Sequence, residues 1–266
     1  MPSPTTVINS VRANWGVSDC GQLMGKPTEA GIASVEPEGA YEHLAIGVLE
    51  EGYTLCYKTP DGTDHVKYDV YESSSGIICT GHHICRNDNN ELVKTTESKT
   101  DDDLISVRQT FTISKNETRV IIQMEITNCA RERSLDLTDF LVKRYADLDV
   151  DTGGTAGWAN FQARWDKNRY SVFSFNLDSD VPQTPEGRRA HVVNMVAMPS
   201  DLPLDGTFVG QLGAQQYATR NNPSLLATPT GRVDGDGILQ WHATRFLAGE
   251  TFRINMYYDA FRSFAK

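Results

Sequence analysis

Apolar and polar residues alternate through the middle of the chain. Ile105, Val107, Gln109, Phe111 and Ile113 interleave with Ser106, Arg108, Thr110 and Thr112. After Ser114-Lys115-Asn116-Glu117, the positions Val120, Ile122, Met124 and Ile126 alternate mostly with Arg119, Gln123 and Glu125. Successive side chains of a strand point to opposite faces, so this pattern predicts an antiparallel hairpin with one dry and one wet face. The same reading places strands at His43–Leu49, Tyr53–Lys58, His65–Tyr71, Gly76–Thr80 and Glu91–Thr96. It places later ones at Leu135–Leu148, Tyr170–Phe175, His191–Met198, Ile238–His242 and Phe252–Tyr258. Pro60-Asp61-Gly62, Asn87-Asp88-Asn89-Asn90 and Asp234-Gly235-Asp236-Gly237 separate several of them as turns.

Roughly a dozen short strands parted by regular turns read as an all-β antiparallel sandwich or barrel. Helix is scarce. Ala156–Asp166 is the first candidate, with Trp158, Phe161 and Trp165 on one helical face; Gln211–Arg220 and Thr5–Ala13 are weaker ones. Asp178–Arg189 and Pro199–Asn222 are rich in Pro, Gly and Asp and read as surface connections, because strands resume after each. One domain over residues 1–266 is expected.

Net charge is −10, which disfavours nucleic acid and anionic membrane surfaces as partners. No apolar run approaches the ~18 residues of a spanning helix. The N-terminal segment lacks the basic and apolar regions of an export signal, and Cys20, Cys56, Cys79, Cys85 and Cys129 are odd in number and scattered. Reduced, mostly buried thiols in a cytoplasmic protein are the expectation. G-x-S-x-G, G-x-x-x-x-G-K-[ST], H-E-x-x-H and a dinucleotide fingerprint are all missing, which disfavours the chemistries those motifs carry. No cofactor is expected.

The segment S-L-D-L-T-D-F-L-V-K-R-Y-A-D-L-D-V-D departs from a core strand. Lys143, Arg144, Tyr145, Asp147, Asp149 and Asp151 crowd its end, as at the rim or floor of a site. Thr127-Asn128, the L-D-L-T-D core at Leu135–Asp139 and Tyr145-Ala146-Asp147-Leu148 resemble a segment of the galactose-mutarotase-like β-supersandwich proteins. The preceding hairpin and the late unit G-I-L-Q-W-H-A-T-R-F-L-A-G-E-T-F-R-I-N-M-Y-Y fit as well. The resemblance covers roughly 50 residues and implies a large supersandwich whose corresponding strand crosses a concave face. The family's histidine position carries Lys143 or Arg144 here, so its acid–base pair is not implied.

Four constellations could carry chemistry. Asp147-x-Asp149-x-Asp151 could offer oxygens to Ca²⁺, but Thr152 and Trp158 stand where an EF-hand loop needs Gly and Glu. The alternatives are a solvated strand end, or one carboxylate acting as general acid or base beside Arg144 or Lys143. Cys79-Thr-Gly-His82-His83-Ile-Cys85 invites a zinc reading, but the spacing is wrong for a knuckle. Thr80-Gly81 reads there as a turn sending the two cysteines apart. His43, His65, His191 and His242 are scattered; His191 lies on the alternation of Val193 and Met195, where a core role is commoner, and His242 follows Trp241 at a possible pocket wall. Trp158 and Trp165 could shape a sugar-binding wall, though packing is the commoner use.

The reading favoured is a cofactor-independent acid–base enzyme, of isomerase, lyase or cyclase type, acting on a carbohydrate or similar-sized polycyclic molecule. Asp147, Asp149 and His191 would handle protons, with Arg144 and Tyr145 holding an oxyanion or hydroxyl. Lys143, Trp158, Trp165, His82, Trp241 and His242 would contact substrate. The other reading is a carbohydrate-binding or scaffolding sandwich without turnover. The expected partner is a small molecule, and a homodimer is left open.

Overall fold

The computed structural model describes residues 5–9, 13–23, 32–36, 39–42, 51–70, 73–87, 89, 91–114, 117–148, 162–166, 171–177, 188–210, 218–220 and 236–265. These form strands Thr5–Asn9 (β1), Ala13–Ser18 (β2), Ile32–Glu36 (β3), Gly39–Glu42 (β4), Glu51–Lys58 (β5) and Asp64–Val70 (β6). Ser73–Ser75 (β7), Ile77–Arg86 (β8), Leu92–Thr100 (β9), Ile105–Ile113 (β10), Arg119–Asn128 (β11) and Leu137–Asp147 (β12) follow. Then come Gln162–Asp166 (β13), Ser171–Leu177 (β14), Arg188–Ala197 (β15), Leu204–Gly210 (β16), Asp236–Phe246 (β17) and Thr251–Ala265 (β18). Among the described residues, a short 3₁₀ turn forms at Arg133–Leu135.

An eight-stranded sheet runs β13-β14-β15-β18-β11-β10-β9-β8 and a six-stranded sheet runs β16-β17-β12-β5-β6-β7. A smaller sheet of four strands, β1 to β4, accompanies them. Among the described residues, every strand pairing is antiparallel. The expected hairpin is β10–β11, registered from Ile105 opposite Asn128 to Ile113 opposite Val120. Its alternation is realised as burial: Ile105, Val107, Phe111, Val120, Ile122, Met124 and Ile126 lie in the core, while Arg108, Ile121 and Gln123 are exposed. Tyr53, Leu55, Val142, Leu239 and Trp241 of the six-stranded sheet belong to the same apolar cluster. The molecule is thus an antiparallel β-sandwich, as the pattern predicts.

A bulge sets the facing of β12. Its pairing with β5 slips between Thr138 and Leu141, and Asp139 takes φ 50°. An extra residue reverses which parity faces the core. Leu137 points inward before the bulge; Phe140, Val142 and Ala146 do so after it. Arg144 therefore enters the sandwich, and Lys143 leaves on the opposite face.

Inside, the Arg144 guanidinium is fully buried against a nearly fully buried Glu51. Arg144 Nε donates to Glu51 Oε1 at 2.6 Å, Nη1 to Gln109 Oε1 at 2.6 Å and Nη2 to the Gly21 carbonyl at 3.3 Å. Glu51 also accepts from the Leu23 N–H at 2.5 Å and the Tyr258 hydroxyl at 2.9 Å. Burial pushes Glu51 up, against the Arg144 charge and these donors. Burial also opposes the charge of Arg144, but Glu51 and Tyr258 raise it above its usual value. Gln109, apparently out of place among its apolar neighbours, is there to receive this guanidinium. Gly21 has φ 90°, and an added Cβ would strike the Gln109 side chain, so the turn after β2 needs glycine there. Asp69 lies beside the pair, 4% exposed; burial pushes its carboxyl up to about 7, against Gln22 and Arg144.

Several expectations are corrected. Gln162–Asp166 is a strand where a helix was expected, with 156–161 outside the described residues. Within the expected helix Thr5–Ala13, Thr5–Asn9 is β1 and Ala13 begins β2, with 10–12 outside the described residues; strand pairing overrides the weak helical pattern. Of 211–220, only 218–220 are described. Leu204–Gly210 is a strand within the expected connection. Thr80-Gly81 is no turn; β8 runs through it with a register shift between Cys79 and Gly81. Cys20 and Cys79 form a disulfide, Cys85 and Cys129 are exposed and Cys56 alone is a buried free thiol, which overturns the picture of reduced, buried cysteines. Fifty-nine positions separate Cys20 from Cys79, and only the fold brings them together. His43–Leu49 lies outside the described residues.

Removing one partner of a buried ion pair strands the other's charge. Arg144→Met should cost about 3–5 kcal/mol of unfolding free energy in urea. Glu51→Leu added to Arg144→Met should restore part of that loss; a double variant as unstable as the sum of the singles would deny the coupling. Asp69 gives a pH signature. The unfolded chain releases its proton near the ordinary 3.8, whereas the folded one holds it to about 7. Between those values the folded state binds more protons, so this contribution is full at low pH and is lost as pH rises through the window. Asp69→Asn should therefore gain on the wild type from about pH 4 to 7, by at most about 4 kcal/mol. A stability difference that does not change with pH would contradict the buried protonated carboxyl.

Candidate functional site

Opposed residues of an antiparallel pair share a face. On the outer face of the six-stranded sheet, His242 stands opposite Leu141 and Leu141 opposite Cys56. The next rows are Gln240–Lys143–Thr54, Ile238–Tyr145–Gly52 and Asp236–Asp147. Val70, Tyr145, Phe208 and Ile238 make a small apolar cluster there, with Ala218 packed against it. Tyr145 donates to Asp236 Oδ1 at 2.6 Å. Lys143, fully buried, donates from Nζ to the Thr219 carbonyl at 2.6 Å. Burial pushes Lys143 below its usual value; Cys56 opposes this and Arg220 adds to it. Burial pushes the Cys56 thiol up to about 11.

The chemistry concentrates where β12 bulges. Asp139 Oδ1 lies 3.2 Å from His242 Nε2. Its Oδ2 lies 3.0 Å from Lys58 Nζ and 3.2 Å from Arg220 Nη1. Arg220 Nη1 also donates to the Asp139 carbonyl at 2.6 Å, and its Nε donates to Asp64 at 2.7 Å. Burial would raise the Asp139 carboxyl, but Lys58, Arg220 and His242 outweigh it and hold the group below its ordinary value. An ionised carboxylate only accepts, so His242 presents Nε2–H to Asp139, and in the neutral ring that leaves the lone pair on Nδ1. With the imidazole 30% and the carboxylate 38% exposed, both reach solvent. Such a pair can orient an imidazole for proton transfer.

The residues singled out in the sequence divide between places. Lys143, Tyr145, Asp147 and His242 share the outer face. Arg144 and Trp241 turn inward and are buried in the sandwich. His191 lies on β15, in the other sheet, between Asn176 and Arg262. Trp165 lies on β13 opposite Val172. His82 lies on β8, with Nε2 3.6 Å from Asp19 Oδ1. Asp149, Asp151 and Trp158 fall outside the described residues. Asp139, Lys58 and Arg220 were missed as a group. Asp139 sits among β-formers with no mark of the bulge, and Arg220 arrives from 81 positions away.

A groove of about 550 Å³ lies on the outer face of the eight-stranded sheet. Register lines up Glu97, Arg108, Glu125 and Arg253 across it with alternating charge. Arg253 Nε donates to Glu125 at 2.9 Å, and Arg108 Nε is 4.0 Å from Glu97. These charges neutralise one another in pairs and, among the described residues, no aromatic side chain lines the groove, so it reads as a solvated sheet face.

No family model and no curated protein matches the sequence. Among solved structures, a bacterial glucoamylase complexed with acarbose is similar over 97% of this chain and 32% of its own, with TM-score 0.51 and 8% identity. The galactosidase domain of an α-galactosidase–sucrose kinase, AgaSK, aligns with 97% of this chain and 40% of its own at TM-score 0.42 and 7% identity. The GH36 α-galactosidase AgaB of Geobacillus stearothermophilus aligns with 97% and 41%, at TM-score 0.42 and 8% identity. The chain spans about a third of the length of the glucoamylase, 32%. That likeness is one of fold: the β-sandwich architecture of a carbohydrate-active enzyme, in keeping with the supersandwich resemblance of the sequence.

Proposed function

We propose that the outer face of the six-stranded sheet binds a small polyhydroxylated molecule, a carbohydrate by class, and moves a proton on it without a cofactor. The observation that carries this reading is the Asp139–His242 pair, built on a bulge residue at φ 50° and flanked by Lys58 and Arg220. A left-handed Asp at a bulge is a backbone cost that a plain strand avoids, and such outliers gather at sites where a side chain is re-aimed. In this reading His242 Nδ1 takes the proton, Asp139 orients the ring and stabilises the imidazolium, and Lys58 stands ready to meet a developing oxyanion. Lys143 and Tyr145 lie on the same face but are buried, so they support the site from beneath. Isomerase, lyase and cyclase steps all use such a base, and the carbohydrate class draws support from the fold likeness alone.

The test is proton chemistry on a panel of aldoses, ketoses and uronic acids in D₂O, followed by ¹H NMR. A substrate should show accelerated anomeric exchange or solvent deuterium at a carbon next to its carbonyl. His242→Gln should slow that reaction by at least about 100-fold, and Asp139→Asn by a similar factor, with saturation-transfer binding retained. Exchange at equal rates in wild type and both variants would remove the base assignment. Binding without any exchange would leave the non-catalytic carbohydrate-binding sandwich, and neither binding nor exchange would remove the sugar as well.

A further inference from the structure

At the far edge of the sandwich, the turn after β2 meets β8 and β6. The Cys20–Cys79 disulfide closes this junction, with the Cα atoms 5.4 Å apart. Both Sγ atoms and a carboxylate oxygen of Asp69 lie within 4.8 Å of one another. Asp69 is 4% exposed, and its Oδ2 has no hydrogen-bond partner. A buried carboxylate oxygen without a donor is costly, and a disulfide has no proton to offer it. The register shift between Cys79 and Gly81 matters here too. It sets Cys79 opposite Ser98 on the face whose β9 neighbours are buried, while Cys85 pairs with Val93 on the other face. Cys79 is exposed, so a soluble reductant reaches it.

We infer that reduction of Cys20–Cys79 turns this junction into a site for a thiophilic divalent cation such as Zn²⁺, held by two thiolates and the Asp69 carboxylate, with water in the fourth position. Two molecules of a small thiol supply two electrons and two protons. The S–S bond breaks, two Cys S–H bonds form and the reductant leaves as its own disulfide. The cation then displaces both thiol protons, and the Asp69 proton where it is held. Tetrahedral Zn–S bonds of about 2.3 Å need sulfurs about 3.8 Å apart, which side-chain rotation provides from the present Cα spacing. The cation gives Asp69 Oδ2 the electrophile that the oxidised state lacks. In one state a covalent bond staples the turn to β8, and in the other a metal does.

The test uses the full chain, reduced and freed of reductant under anaerobic conditions, against the oxidised protein. Titration with Co²⁺ should reveal one equivalent bound with a near-ultraviolet thiolate-to-cobalt absorption, displaced by Zn²⁺. The oxidised protein should show none. The band should persist in the doubly substituted Cys85→Ser, Cys129→Ser chain and vanish in Cys79→Ser. Asp69→Asn should keep the band but weaken Zn²⁺ binding at least about tenfold. The inference is overturned if oxidised and reduced wild type bind Co²⁺ alike, if the band is absent from the reduced wild type or survives Cys79→Ser, or if Asp69→Asn binds Zn²⁺ as tightly as the wild type. The comparison of redox states needs no substitution, so an unfolded variant does not blunt it.

Discussion

The pairing of Arg144 with Glu51 is the constraint around which the sandwich is arranged. Each ion alone would be expelled from an apolar interior at a cost of several kcal/mol. Together they persist because the remaining lone pairs and N–H groups also find partners: Gln109 from β10, Tyr258 from β18, and the backbone of Gly21 and Leu23. Those partners come from the eight-stranded sheet and from the turn after β2, whereas the two ions stand on the six-stranded sheet. The network therefore fixes how the layers meet, whereas the apolar contacts around it would tolerate sliding.

The bulge at Asp139 couples this interior to the outer face. By changing parity once, it delivers Arg144 to Glu51 and Lys143 to the opposite face of the sheet, where it is buried against the Thr219 carbonyl. The residue that absorbs the extra backbone is itself the carboxylate that holds His242. Regular pairing with every residue retained would instead continue the alternation of Leu137, sending the Arg144 guanidinium outward and turning the Lys143 ammonium into the core. Core and candidate site are thus two consequences of one irregularity.

The turn after β2 is the third part of the same assembly. Lys94, fully buried, donates to the Val17 carbonyl at 2.9 Å and to Asp19 at 2.8 Å, and the Cys20–Cys79 bond follows immediately. Gly21 and Leu23 then reach the ion pair. A few residues of irregular chain carry polar anchors to the sheet edge and to the centre of the core. Whatever alters the bond at Cys20 acts on a segment that also satisfies Glu51.

Alternation along the chain was sufficient to determine the class of fold, the β10–β11 hairpin with its dry face, and most strands of the two large sheets. Period and turn chemistry are local quantities, written in neighbouring residues. It also marked the end of β12 as unusual, and Lys143, Tyr145, Asp147 and His242 do share one face. It could not show that Arg144 belongs inside, because a single bulge reverses the facing of every later residue and leaves no trace in composition. Nor could it join Cys20 to Cys79, Glu51 to Arg144 or Arg220 to Asp139. Those contacts span tens of positions, and only the packing of one sheet on another decides which distant charges end up within hydrogen-bond reach.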